Sequence, residues 1–359
     1  MPTSLKDVAA RAGVSARTVS NVVNGSGVVA PATRERVQQA VDELGYRPNA
    51  AARNLRTGRT GLVGLVVPEI DSPYFSEMAA LLAVAVEGRS WTLLTDATGG
   101  DAERERRLLG GARRQLVDGL ILSPWALTPD DIARHAGAVP LVLIGEHVPD
   151  GVVDHVAVDN VAAARAATAH LLALGRRRVA VVGVGANGAG ATARLRLQGY
   201  HEALAAAGLP RDPALEAGTG ALHRADGAAA LRRLLDLPEP PDAVFCFTDQ
   251  LALGALRVAL ERGLDVPGDL AVVGFDDIED GRYATPSLTT VSPDKAATAR
   301  LAVECLADRI AERAAVRAQG GTAPGEAPGG GGTAPARTVV VAHRLEVRES
   351  TVGRAVAPG

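Results

Sequence analysis

From Gly61 onward the chain repeats one pattern: short runs of consecutive apolar residues alternate with longer stretches of helical spacing. Leu62 to Pro68 reads Leu-Val-Gly-Leu-Val-Val-Pro, with no polar side chain. Similar runs follow at Trp91–Thr95, Gly119–Leu122, Leu141–Ile144, Arg178–Val182, Ala243–Phe247 and Leu270–Gly274. A strand with one wet face alternates apolar and polar residues, whereas a strand covered on both faces does not. Buried strands separated by helices therefore predict parallel sheets of the α/β class. Seven such strands are too many for one small sheet, and two doubly wound lobes with a cleft between them is the economical arrangement.

The first sixty residues follow a different rule. Leu5–Ala12 and Ala16–Val23 read as two short amphipathic helices, sharing an apolar face of Val8, Ala9, Ala12, Val14, Val19 and Val22 or Val23. Gly13-Val14-Ser15 forms a sharp reversal between them. Gly13 can take the positive φ such a turn requires, and Ser15 is a natural N-cap for the second helix. This is the shape of a helix-turn-helix, whose second helix enters the DNA major groove. A third helix fits Ala32–Leu44, opened by Pro31 and stopped by Gly45. Pro48 breaks the chain, and Asn49–Leu55 can form a further two turns of helix that need external support.

Charge agrees with this division. The 359 residues carry a formal charge of −3, yet residues 1–60 hold nine basic side chains against four acidic ones. A local positive footprint of this kind suits phosphate binding. Cys246 and Cys305, the only cysteines, lie in apolar surroundings, which favours buried thiols over a disulfide. No metal-ligand spacing stands out. The N-terminus lacks a signal-type apolar segment, and no apolar run is long enough to span a bilayer, so a cytoplasmic, nucleoid-associated location is expected. Residues 316–336 are rich in Gly, Ala and Pro and are expected to form a flexible insertion before strands at Thr338–Ala342 and Leu345–Arg348.

Several strings occur together and in order: Leu5-Lys6-Asp7-Val8-Ala9, Gly13-Val14-Ser15, Thr18-Val19-Ser20, Leu44-Gly45-Tyr46-Arg47-Pro48-Asn49, Arg196-Leu197-Gln198-Gly199-Tyr200, Asp249-Gln250-Leu251-Ala252 and Val272-Val273-Gly274-Phe275-Asp276-Asp277. With Leu288-Thr289-Thr290-Val291 and the tail Val347–Thr351, they make the chain resemble the lactose/galactose repressor (LacI/GalR) family over essentially its full length. The resemblance implies a helix-turn-helix domain at 1–47, a hinge helix and linker at 48–60, and a two-lobed, periplasmic-binding-protein-like core at 61–359. It places 61–160 plus part of 291–320 in one lobe, and 161–290 plus the C-terminal strands in the other. It also implies a homodimer on a pseudo-palindromic operator in double-stranded DNA, with affinity set by a small-molecule effector such as a sugar.

In the second helix Arg17 can pair with guanine, Ala16 can touch a thymine methyl, and Asn21, one turn on, can read adenine. The competing role for Arg17 is phosphate neutralisation. Ser15, Thr18, Ser20 and Asn24 can position phosphates, while capping and back-bonding compete for Ser15 and Ser20. Within 48–60, Asn49 and Arg53 fall on the hinge segment. By resemblance Leu55 is a wedge inserted into the minor groove, and Arg56 reaches the groove floor.

For the effector, Arg196 and Asp276 match the family arginine and aspartate that hold the ligand, and Tyr74 and Phe75 match residues that stack on it. Thr248 and Asp249 end a strand where α/β sheets place ligands, with a structural role equally open for Asp249. Trp125 follows another strand and can cover a sugar face. After Leu141–Ile144 this chain has Gly145 and Glu146 where the family often has an aspartate.

One motif points elsewhere. Gly183-Val184-Gly185-Ala186-Asn187-Gly188 spells G-x-G-x-x-G after a strand, but more Gly and Ala follow it in place of an immediate helix, and Glu202 lies within the helix Gly199–Ala207 instead of ending a second strand. A nucleotide cofactor is therefore not expected, nor is an enzyme, because no nucleophile–base or carboxylate pair stands out. A two-lobed solute-binding protein is the other rival, and it would not need the basic first sixty residues.

Overall fold

The computed structural model describes residues 3–23, 27–46, 59–110, 116–135, 137–145, 151–185, 190–318 and 334–353. The chain divides into two compact units, Met1–Thr60 and Gly61–Gly359.

The first unit contains α1 (Leu5–Ala12), α2 (Ala16–Val23) and α3 (Pro31–Glu43). Ser4 and Asp7 form a capping box at α1, and Gly13 ends it in the left-handed region at φ 65°. The Ser15 hydroxyl accepts the Thr18 N–H at 3.1 Å and so caps α2. Val8, Val19 and Val37, one from each helix, are wholly buried against one another. Arg11 pairs with Glu43 at 2.5 Å, tying α1 to α3.

The second unit begins with β1 (Leu62–Val67), α4 (Pro73–Glu87), β2 (Thr92–Ala97), α5 (Ala102–Gly110), β3 (Gly119–Leu122), α6 (Pro129–His135), β4 (Leu141–Ile144) and β5 (Asp154–Val158). The chain then builds α7 (Asn160–Ala173), β6 (Val179–Val184), α8 (Gly190–Ala206), β7 (Glu216–Gly218), α9 (Arg224–Leu235), β8 (Ala243–Cys246), α10 (Asp249–Glu261), β9 (Ala271–Phe275), α11 (Glu279–Tyr283) and β10 (Thr289–Pro293). It closes with α12 (Lys295–Ala318), β11 (Thr338–Val341), β12 (His343–Glu346) and α13 (Glu349–Val352).

Two six-stranded sheets result, in the orders β11-β5-β4-β3-β1-β2 and β12-β10-β9-β8-β6-β7. The pairings are parallel except β10 with β12. Strand β1 shows why its residues are all apolar. Val63, Leu65 and Val67 pack with Met78 and Leu82 of α4 and Leu306 of α12, while Val66 turns to the opposite face with Leu109 and Ile132. In the second sheet α9 and α10 cross so closely at Gly227 and Gly254 that a Cβ on either would strike the other helix's backbone.

Three sequence expectations need correction. The C-terminal strands do not share a lobe: β11 pairs in parallel with β5 of the first sheet, and only β12 joins the second. The insertion is narrower than 316–336, because Val316–Ala318 complete α12 and the carbonyls of Ala334 and Pro335 accept bonds from Arg309 at 2.9 and 2.7 Å. Helix α8 starts at Gly190, soon after the glycine-rich motif. In that motif Gly183, at φ 114°, lets β6 approach Phe247, and residues 186–189 lie outside the described residues.

Asp154 staples these late segments to the first sheet. It is buried, and its carboxylate takes Arg309 of α12 at 2.7 Å and Arg337, just before β11, at 2.9 Å. Burial pushes its pKa up, but the hydrogen bonds from Arg309 and Arg337 outweigh it and hold the carboxyl below the usual carboxylate range. Asp154→Ala leaves the Arg309 guanidinium without this partner and is expected to cost about 3–5 kcal/mol in chemical denaturation. The wild-type contribution is present above the unfolded carboxylate pKa and is lost as pH falls through the lower folded value. The gap between the two proteins is therefore expected to narrow in acid, and a gap constant from pH 7 to 3 would contradict the assignment.

Candidate functional site

On the first unit, Val19 and Val22 turn α2's apolar side inward, leaving Arg17 exposed and Thr18, Ser20 and Asn21 half-buried. Ser15 and Thr18 bond to each other at 2.9 Å in addition to capping α2. Ala16 packs partly against the three-helix core. Arg17 and Asn21 thus occupy neighbouring turns of a short helix seated on a rigid base. Asn24, Asn49, Arg53, Leu55 and Arg56 lie outside the described residues.

In the second unit a cavity opens at the C-terminal ends of the strands of both sheets. The first sheet contributes Tyr74, Phe75, Ser123 and Trp125, and the second contributes Arg196, Phe247, Thr248, Phe275 and Asp276. Each set follows a point where strand order reverses, β1 between β2 and β3 and β6 between β7 and β8, where such sheets hold ligands. Phe75 meets Tyr74 and Trp125 edge-on, at centroid separations of 5.2 and 6.1 Å, and the three rings form one apolar wall. Phe75 is itself mostly buried in the first lobe's core.

Arg196 is held on several sides. Its Nε donates to Asn160 Oδ1 at 2.9 Å, its Nη1 donates to the Phe247 carbonyl, and its guanidinium lies 3.5 Å over the Phe275 ring. Thr248 lines the cavity while its hydroxyl caps α10 by accepting the Leu251 N–H.

Asp249 does not line the cavity and is corrected to a structural role. It is fully buried, accepts the Thr290 hydroxyl at 2.5 Å and the Ile278 N–H at 2.9 Å, and so holds the turn behind Asp276. That turn is strained: Asp276 and Asp277 have φ of 116° and 51°, values that side chains other than glycine rarely adopt. Asp277 is anchored by Arg348 at 2.6 Å, Arg282 at 3.0 Å and the Ser292 hydroxyl at 3.0 Å. Asp276 is thereby fixed at the cavity surface, and burial pushes its pKa up to about 7 against the pull of Arg196 and Lys295.

The sequence reading missed Glu69, Ser72, Asn160 and Gln250, which also line the cavity. Gln250 Nε2 lies 3.3 Å from Ser72 Oγ, His223 pairs with Glu69 at 3.3 Å, and Lys295, itself paired with Glu77 of its own lobe, donates to the Asp277 carbonyl at 3.0 Å. These bonds bridge the lobes, so their purpose is invisible until both sheets are built. Among the described residues no group of three or more His, Cys, Asp or Glu is placed to hold a metal, and no helix is long and apolar enough to cross a membrane. Cys246 and Cys305 are buried free thiols.

A three-helix DNA reader and a two-lobed, ligand-sized clamshell in one chain define an effector-controlled DNA-binding transcriptional regulator. Comparison with known proteins agrees. Residues 4–49 match the family described as bacterial regulatory proteins, lacI family, and residues 168–351 match the periplasmic binding protein-like domain. The chain is 39% identical over 358 residues to the HTH-type transcriptional regulator CelR of Thermobifida fusca, covering 97% of this chain and 98% of that protein. A solved CelR–cellobiose complex is 36% identical with a TM-score of 0.68, covering 97% of this chain and 99% of that one. The lac repressor dimer bound to operator and the anti-inducer ONPF is 27% identical with a TM-score of 0.79, covering 98% and 99%. The chain belongs to the lacI family of bacterial regulatory proteins.

The raised Asp276 pKa makes a prediction that needs no ligand. The folded chain keeps a proton that the unfolded chain gives up, so ionising Asp276 costs stability as pH rises towards the folded value. Asp276→Asn is expected to stabilise the protein, and the gain should grow by about 1 kcal/mol between pH 6 and 8. A pH-independent difference in denaturation midpoint would reject the assignment.

Proposed function

We propose that the chain acts as a homodimeric repressor of carbohydrate-use genes whose effector is a neutral sugar bound between the lobes. The observation that carries the sugar reading is the pairing of an aromatic wall, Tyr74–Phe75–Trp125, with a locked Arg196 and a buried Asp276 on the facing lobe. Apolar ring faces cover the C–H faces of a pyranose, while charged and polar groups opposite take its hydroxyls. An anionic ligand would meet Asp276 and Glu69 in the same cavity. The family relative solved with cellobiose makes that disaccharide the first probe to try.

On the DNA side, Arg17 and Asn21 read base edges, and Ser15, Ala16, Thr18, Ser20 and Asn24 complete the contact surface in the major groove. Asn49, Arg53, Leu55 and Arg56 act at the minor groove, with Leu55 as the wedge between base pairs. Two copies related by a two-fold axis then require a pseudo-palindromic site. Sugar binding favours one arrangement of the lobes and thereby changes operator affinity. The solute-binding reading leaves α2 and its exposed Arg17 without a purpose.

The test is a gel-shift titration of the full chain on duplexes from its own upstream region, with and without cellobiose and a panel of neutral mono- and disaccharides. Arg17→Ala should lose about 1–3 kcal/mol of discrimination against random duplex, roughly a five- to 150-fold effect. Arg196→Ala should bind the operator like the parent and ignore the sugar. No preference for any upstream duplex would end the regulator reading, and a full sugar response in Arg196→Ala would end the proposed cleft chemistry.

A further inference from the structure

We propose that Glu105, a buried carboxylate on α5 that does not line the cleft, is the positioning residue that fixes Trp125 as the sugar-facing wall of the effector site. The inference rests on the sugar reading above. Glu105 is fully buried. Its Oε1 accepts the Trp125 N–H at 3.0 Å and the Thr98 hydroxyl at 3.3 Å, and its Oε2 accepts the N–H groups of Ala126 and Leu127, each at 3.1 Å.

Three successive backbone donors converging on one carboxylate form an anion cradle. Bonds to an ionised acceptor are short and strong, and removing that acceptor leaves buried N–H groups unsatisfied. The backbone of Trp125 is thus tied directly to Glu105.

The same carboxylate also sets the surface beneath the indole. The Thr98 hydroxyl that donates to Glu105 accepts the Gly100 N–H at 3.2 Å. Gly100 sits at φ 69°, and a Cβ there would lie 3.2 Å from Trp125 Cε3. The circuit Glu105–Thr98–Gly100–Trp125 therefore closes on itself, with Phe75 edge-on to the ring. One charge holds the backbone of the aromatic wall and its floor together. A carboxylate that merely filled a core would not take every N–H of the turn that carries the stacking residue.

The chain has only two tryptophans, so Trp91→Phe leaves Trp125 as the sole indole reporter. In that full-length background Glu105→Gln keeps the side-chain volume and removes one acceptor oxygen. The expected result is red-shifted Trp125 emission, at least twofold greater acrylamide quenching, and about tenfold weaker cellobiose binding. In a Trp125→Ala chain, Glu105→Gln should change cellobiose affinity less than twofold. Unchanged emission and quenching overturn the proposal, and so does an equal affinity loss with and without Trp125, which would make Glu105 a general support of the cleft. If Glu105→Gln does not fold, Thr98→Ala removes the hydroxyl that links Glu105 to Gly100, keeps the three backbone bonds to Glu105, and should move emission in the same direction by less; no movement counts against the circuit. If no sugar in the panel binds the parent chain, the sugar reading fails, while the emission change still reports whether Glu105 holds Trp125.

Discussion

Three chain crossings between the two sheets govern everything the second unit can do. The chain leaves the first sheet after β5, returns after β10, and leaves again between β11 and β12. These crossings are bonded to one another: Val158 is the register partner of Val341, and the Asp294 N–H donates to the Ala342 carbonyl at 3.0 Å. Val158 and Pro293, at two of the crossings, also line the cavity. The hinge of the clamshell and the floor of the site are therefore the same few residues. A ligand seated there touches both lobes and the strands that join them, which is the geometry that differential binding to two lobe arrangements requires.

The second lobe holds its half of the site with buried polar groups. Strand β10 is wholly buried yet reads Thr-Thr-Val-Ser-Pro. Its hydroxyls are used in full view of the turn they support: Thr290 donates to Asp249, Ser292 donates to Asp277, and Thr289 donates to the Arg348 carbonyl. An apolar strand would pack as well, but it would leave Asp249 and Asp277 short of partners and the positive φ values at Asp276 and Asp277 unsupported. The strained turn, the polar strand and the C-terminal Arg348 are one arrangement, and its product is a carboxyl at the cavity surface whose charge is easily lost near neutral pH.

This division explains what could be read in the sequence. Strands β1, β3, β4, β8 and β9 are uninterrupted apolar runs, so the sheets announced themselves. Strands β5, β7 and β10 did not: the first opens with Asp154 and His155, the second has three residues, and the third is built of hydroxyls whose partners lie 15 to 59 positions away. The side of the sheet chosen by β11 depends on Asp154 meeting Arg309 and Arg337, a contact between distant parts of the chain that no local pattern encodes. At the site, Tyr74, Phe75, Trp125, Arg196, Thr248 and Asp276 follow strands or match family strings and all line the cavity. Asp249 also follows a strand, but it turns inward because the Ile278 N–H needs an acceptor. Glu105 was hidden in a charged run, Glu-Arg-Glu-Arg-Arg, where a buried carboxylate looks like its solvated neighbours.

The bonds across the mouth of the clamshell bear on whether a small molecule can control it. Ser72–Gln250 and Glu69–His223 involve partly exposed side chains, and Lys295, at the crossing after β10, donates to the Asp277 carbonyl at 3.0 Å. Exposed pairs of this kind contribute about 0–1 kcal/mol each. Between the lobes lies the cavity lined by the aromatic rings. A ligand of micromolar affinity brings about 8 kcal/mol, well above what such exposed pairs supply. Only the part of that energy spent differently on the two arrangements shifts the equilibrium. A site that divides its contacts between facing lobes, with the aromatic wall on one and Arg196 and Asp276 on the other, makes that part large, because a ligand in an open clamshell can satisfy one half only.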